Sequence, residues 1–200
     1  MLSVGYRLSP QAKFPAPHDD CVAAYRRVVS HRAQLGADLD RLAVGGDSAG
    51  ANFAATTAIE VAREGLPLRL QFLLYPVTDF TGTHLSRVAF GEGFFLTEAF
   101  IQVSTDRYLR DRSQRDDPAA SPLFAEIPTG LASAYIATGG FDPLRDEGEA
   151  DADRLEAAGV RAIRRRVGDQ LHGFMNVVGA GRSSRAAVRE AAGVLRAELA

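Results

Sequence analysis

The segment Gly46-Asp47-Ser48-Ala49-Gly50 sets a serine in a G-x-S-x-G frame, between an apolar run, Leu42 to Gly46, and an alanine-rich stretch, Ala49 to Arg63. A serine hydroxyl becomes a nucleophile when a neighbouring base takes its proton, and a strained strand-to-helix turn exposes it for attack. Glycine is expected on both sides of such a turn, because side chains there collide with the adjoining strand and helix. The helix start supplies a further group: the backbone N–H of Ala49 points at an oxyanion formed on attack, assisted by the helix dipole. The competing reading makes Ser48 a plain N-cap in a glycine-rich turn.

The base must be one of four histidines. His18 opens a helical segment, His31 lies in a charged helical turn and His84 in a long irregular interval, so all three read as solvated surface residues. His172 sits in the loop Gly168 to Phe174 after a strand-like run, where a loop at the C-terminal edge of a parallel sheet reaches Ser48. An imidazole base needs a carboxylate to fix its tautomer, and Asp142 follows the apolar run Ala134 to Thr138 and the pair Gly139-Gly140. Asp146 and Glu147 occupy the first turn of the next helix, where acids suit the dipole; Asp79 is the one serious rival.

These side chains need a scaffold, and short apolar runs alternate with segments of helical period, the pattern of an α/β chain. The expected strands are Leu2 to Leu8, Leu42 to Gly46, Leu70 to Tyr75, Ala134 to Thr138 and Arg161 to Val167. Helices are expected over His18 to Leu35, Ala49 to Arg63, Arg145 to Ala158 and Arg182 to Leu199. Residues 79–128, with one helix near Thr97 to Leu109, break the alternation and read as a lid-like insertion in a single domain, 1–200. Phe90, Phe94, Phe95, Leu96 and Phe100 either line a pocket beneath it or anchor it to the core. The pocket reading makes Phe94, Phe95 and Leu96 substrate contacts, together with Asp47 and Phe174 from the two loops that carry the chemistry.

Twenty-three Lys and Arg against 25 Asp and Glu leave a net charge of -2, so no global positive field holds nucleic acid or an anionic membrane. Arg164-Arg165-Arg166 reads as a solvated strand edge that discourages pairing. No apolar run approaches the roughly 20 residues of a membrane span, and the first residues lack a basic start before a long apolar stretch, so neither insertion nor secretion is expected. Cys21 is the single cysteine, which leaves neither a disulfide nor a structural zinc site and makes the cytoplasm the default compartment.

Taken together, these motifs resemble the hormone-sensitive-lipase-like (bacterial family IV) carboxylesterases of the α/β-hydrolase fold. Ser3-Val4-Gly5-Tyr6-Arg7-Leu8-Ser9-Pro10 looks like that family's fourth strand, and Gly45 to Gly50 like its nucleophile elbow. Phe14-Pro15-Ala16, Asp19-Asp20-Cys21, Ser121-Pro122-Leu123, Phe141 to Gly148, Leu155 to Val160 and His172-Gly173-Phe174 follow in the family's order. The order Ser48, Asp142, His172 is that of the α/β-hydrolase triad. The resemblance implies that these three are nucleophile, acid and base, that substrates are esters of short acyl chains, and that no cofactor or metal takes part. The plant gibberellin receptors, relatives that bind a small ligand without catalysis, lack the histidine; they define the competing reading.

The family also carries an H-G-G-G segment, ahead of the strand that Leu2 to Leu8 resembles, which supplies the other oxyanion donors. These 200 residues do not include it, so the fold is expected as a truncated α/β-hydrolase whose hole is completed by Gly45 or Ala49 N–H groups, a water or the N-terminal stretch. The family's third strand is likewise not included. Leu2 to Leu8 is therefore expected to move beside Leu42 to Gly46, or to pair with a second copy in a homodimer.

Overall fold

The computed structural model describes residues 1–179 and 182–200. In chain order the regular elements are α1 (Ala16–Ser30), α2 (Arg32–Leu35), β1 (Ala43–Asp47), α3 (Ala49–Arg63), β2 (Leu70–Leu74), α4 (Leu85–Phe90), α5 (Glu98–Tyr108), β3 (Ser133–Phe141), α6 (Arg145–Ala157), β4 (Ala162–Leu171) and α7 (Arg182–Glu198). The four strands form one parallel sheet in the order β1-β2-β3-β4, an α/β arrangement. Because every strand runs the same way, Asp47, Leu74, Phe141 and Leu171 all end at one edge, and the loops after them share it.

Both faces of the sheet are covered, as parallel strands require. On one face the alanines of α3 pack with Leu73, Ile136, Ala152 and Leu155, the last two from α6. On the other, Ala187 and Ala191 of α7 cover Leu70, Tyr135 and Val167. The small residues of α3 let it lie close to β1, and the alanine-rich stretch from Ala49 to Arg63 is helical over its whole length.

Several expectations change, and the helix expected over His18 to Leu35 is broken at His31. Leu2 to Leu8 forms no strand: Leu2, Val4 and Leu8 are exposed, Arg7 is clamped by the Asp20 carboxylate, and the Tyr6 ring meets Phe53 edge-on at 4.7 Å. A strand is fixed by a neighbour's hydrogen bonds, and this segment has found side-chain partners on α1 and α3 instead. His18 is buried on the inner face of α1 with Val22 and Tyr25, where the helix turns it inward. β3 and β4 both run longer than expected, to Phe141 and Leu171, through a register shift at Gly139 to Phe141. A Cβ on Gly140 would stand 2.1 Å from the Gly168 carbonyl oxygen, so only glycine allows the two strands to approach there.

Residues 79–128 carry α4, α5 and short 3-10 turns. A small cluster of Phe14, Leu109 and Ala120 with Phe80 and Tyr108 joins them to the stretch ahead of α1. Asn52 on α3 donates to the carbonyls of Val77, just ahead of this segment, and Ala120 within it, at 2.9 and 2.7 Å, tying both to the core. No helix among the described residues is long and apolar enough to cross a membrane. The Arg164, Arg165 and Arg166 guanidiniums pair with Asp153, Glu190 and Glu149, so that run is neutralised by α6 and α7.

Candidate active site

Ser48 occupies the turn between β1 and α3 with φ 53° and ψ -117°, a conformation costing a non-glycine residue about 1–3 kcal/mol. Its N–H donates to the Leu74 carbonyl at 2.9 Å, and its carbonyl accepts from Ala51 and Asn52, so the backbone is held from both sides. Gly46 makes the turn possible, since a Cβ there would lie 2.3 Å from the Gly50 carbonyl carbon. The expectation for Gly50 is corrected: a Cβ at that position meets nothing within 4 Å. The Ser48 side chain makes no capping bond to α3, which removes the N-cap reading.

The hydroxyl points to His172, with Oγ 3.0 Å from Nε2. On the other side of the ring, Nδ1 lies 2.8 Å from Asp142 Oδ2. A carboxylate oxygen accepts, so this arrangement suits the tautomer with its proton on Nδ1 and the Nε2 lone pair toward the serine hydroxyl. The topology explains how these residues meet. Phe141 and Leu171 are register partners at the ends of β3 and β4, so Asp142 and His172 leave the sheet side by side.

Ser48 follows β1, three strand spacings or about 14 Å across the sheet from β4. The His172 loop bridges that gap over Tyr75 at the end of β2, whose ring meets the imidazole edge-on at 4.9 Å. Tyr75 is itself fully buried with a positive φ of 38°. Burial, followed by the charges of Asp47 and Asp142, pushes its phenol well above the ordinary range, so it stays neutral. Asn176 completes the bridge, donating from Nδ2 to Asp47 Oδ2 at 2.9 Å. Sequence reasoning missed both Tyr75 and Asn176, for neither carries a local signal beyond the proline after the strand.

The remaining candidates fall as follows. Ala49 is the first residue of α3, so its N–H has no acceptor within the helix and is exposed beside Ser48. Asp142 is fully buried, its Oδ1 accepting from the Leu144 N–H at 2.8 Å. The rival Asp79 is buried elsewhere, 3.1 Å from His84 Nε2, so His84 is a partly buried partner of that acid and not a free surface group. His31 is half-buried beside Ser30. Asp47 is bound to Asn176.

Phe94 lies parallel to Phe141 at 5.6 Å and meets Phe90 edge-on, while Leu96 is half-buried. Phe95, 75% exposed at a positive φ of 73°, reaches within 3.9 Å of where a Cβ on Gly173 would stand, next to His172. Phe100 is exposed. Phe174 corrects the expectation of a substrate contact: it is buried against Tyr75, ring centroids 5.4 Å apart, in the core under α7. No group of three metal-ligating side chains occurs among the described residues.

Glu147 is more than a helix-start acid. It is fully buried, accepting from the N–H groups of Thr78 and Asp79, at 2.9 and 3.2 Å, and facing the buried Arg87 guanidinium, which also pairs with Glu98 at 2.9 Å. One cation between two carboxylates leaves a charge uncompensated. Burial accordingly raises the Glu147 carboxyl to about 8, against the pull of Arg87 and the two N–H donors.

A parallel sheet covered on both faces, with a serine on the β1–α3 turn facing a histidine after β4, defines an α/β-hydrolase. The family model described as alpha/beta hydrolase fold matches residues 1–176, and the chain belongs to that family. Among its relatives is the carboxylic ester hydrolase LipN of Mycobacterium tuberculosis, 46% identical over 206 residues that cover 100% of this chain and 55% of LipN. The ethyl acetate hydrolase of Pseudomonas putida is 37% identical over 88% of this chain and 56% of its own length. Among solved structures, the metagenomic carboxylesterase EstE1 superposes with a TM-score of 0.94 at 39% identity, over 99% of this chain and 68% of that one. The chain thus spans little more than half the length of LipN and the ethyl acetate hydrolase.

Proposed function

We propose that the protein is a serine carboxylesterase acting on esters of short acyl chains, with Ser48 as nucleophile, His172 as base and Asp142 as acid. The observation that carries this reading is the Ser48 hydroxyl itself: strained, freed from capping and 3.0 Å from an imidazole nitrogen whose other nitrogen meets a buried carboxylate. His172 takes the hydroxyl proton as Oγ adds to the ester carbonyl, and returns it to the departing alcohol. Water activated by the same imidazole then releases the acid and restores the serine. Asp142 orients the ring and stabilises the imidazolium. The Ala49 N–H stands at the oxyanion, with Phe94, Phe95, Leu96 and Asp47 around the substrate and residues 79–128 as its lid. The names of the carboxylesterase relatives support the same reading.

The test is hydrolysis of p-nitrophenyl acetate and butyrate by this chain beside Ser48→Ala. Turnover that depends on Ser48 is expected; equal rates in the two proteins would remove the nucleophile. A cytoplasmic location, and self-association along the outer edge of β1, belong to the same reading; a monomer in sedimentation removes the latter.

A further inference from the structure

We propose that Ser86, on the first turn of α4 in the inserted segment, is a positioning residue for Asp142. The inference rests on the hydrolase reading above and adds to it a residue that never touches the reacting atoms. Ser86 is fully buried. Its hydroxyl donates to the Pro143 carbonyl at 2.7 Å and accepts from the Asp146 N–H at 3.1 Å, while its own N–H donates to Asp146 Oδ2 at 2.8 Å. Three bonds therefore grip the chain immediately after Asp142 and again four residues beyond it.

The grip matters because it holds the loop between β3 and α6 from the side of α4, in addition to the Arg145 guanidinium bond to the Gly140 carbonyl at 2.9 Å and the Thr78 and Asp79 bonds to Glu147 on the side of β2. Within the loop, Asp142 Oδ1 accepts from the Leu144 N–H at 2.8 Å and the Asp142 carbonyl from the Arg145 N–H at 3.0 Å, which sets its curl but not its place on the sheet edge. α4 contributes to its place through contacts on either side of Asp142. The next residue, Arg87, docks that helix through Glu98 and faces Glu147 of α6. At the other end, the Phe90 ring meets Phe141 at 5.7 Å and lies under the Arg145 guanidinium at 4.9 Å. α4 thus holds the residue before Asp142 and the residue after it. The carboxylate must keep a 2.8 Å bond to Nδ1 of His172, so a loop shift of a few tenths of an ångström weakens the bond that orients the base.

The experiment compares the full chain with Ser86→Ala and Ser86→Thr. The first readout is the His172 Nδ1–H proton resonance, which reports the Asp142 bond whether or not the serine reacts. The second is the rate at which a fluorophosphonate labels Ser48, and the third is kcat and KM on p-nitrophenyl butyrate. Ser86→Ala is expected to move the Nδ1–H resonance upfield and to slow labelling and kcat about tenfold with KM unchanged. Ser86→Thr, which keeps the hydroxyl, restores both. A folded Ser86→Ala protein with the parent's resonance and labelling rate overturns the proposal.

If Ser86→Ala does not fold, Asp146→Ala removes one of the three bonds and is expected to shift the same resonance by less; an unmoved resonance there overturns it equally. Labelling that is unchanged in Ser48→Ala, or absent from the parent chain, defeats the hydrolase reading instead, and the His172 resonance still decides the role of Ser86.

Discussion

Ser48 and His172 lie 3.0 Å apart although they leave the two outermost strands of the sheet, because the His172 loop folds back across the buried ring of Tyr75. That contact is the hinge of the proposed chemistry. Ser48→Ala and His172→Ala are each expected to lower kcat/KM by about four orders of magnitude or down to the assay floor. The double variant should fall within a few-fold of either single one, since the two act as one unit. Additive losses, measured on p-nitrophenyl acetate, would show that they act separately.

The elbow tolerates a methyl group on one side only. Gly46→Ala places a Cβ 2.3 Å from the Gly50 backbone and is expected to destabilise the protein by about 3 kcal/mol or prevent folding. Gly50→Ala meets open space in the first turn of α3 and should gain up to about 1 kcal/mol from helix propensity. Thermal melts of the two variants decide; equal destabilisation would contradict this asymmetry between the two glycines.

Glu147 gives stability a pH dependence of unusual sign for a carboxylate. Its folded value, about 8, lies above the ordinary 4.5, so between those limits the folded chain binds more protons than the unfolded one. This group's contribution is therefore fully present below about pH 4.5 and lost as pH rises through 8. Glu147→Gln keeps an oxygen for the Thr78 and Asp79 N–H groups and leaves Arg87 matched by Glu98 alone. Urea melts at intervals across that range should show a flatter profile in the variant; an identical slope would mean that Glu147 stays ionised.

Phe95 and Phe174 separate substrate contact from core packing. Phe95→Gly releases a left-handed backbone strain of about 1–2 kcal/mol and exposes no core, so its melting temperature should not fall while KM for p-nitrophenyl butyrate rises. Phe174→Ala should instead cost about 3–5 kcal/mol by opening a cavity beside Tyr75. An unchanged KM in Phe95→Gly would take that ring out of the substrate set.

Much of this was legible in the residues themselves because the signals are local. The helix Ala49 to Arg63, the strand before it and the strands and helices around Asp142 are written in apolar period and in glycine placement, and all occur within a few residues of where the pattern puts them. Ser48, Asp142 and His172 were legible for the same reason: each follows a strand, and parallel strands end together. The partners of charged groups were not legible. Nothing near Glu147 or His18 in sequence announces burial, which for Glu147 comes from Arg87, Thr78 and Asp79, all far away along the chain.

Leu2 to Leu8 shows the boundary from the other side. Its alternating apolar residues permit a strand, but a strand exists only where a neighbour supplies hydrogen bonds, and the Arg7–Asp20 and Tyr6–Phe53 contacts hold this segment elsewhere. The residues alone thus determined the periodic elements and the three side chains at their ends, since both follow from backbone geometry over short distances. Only the tertiary structure decided that α4 grips the Asp142 loop, that Tyr75 carries the imidazole across the sheet and that Phe174 belongs to the core. Each of those depends on which distant surfaces pack together.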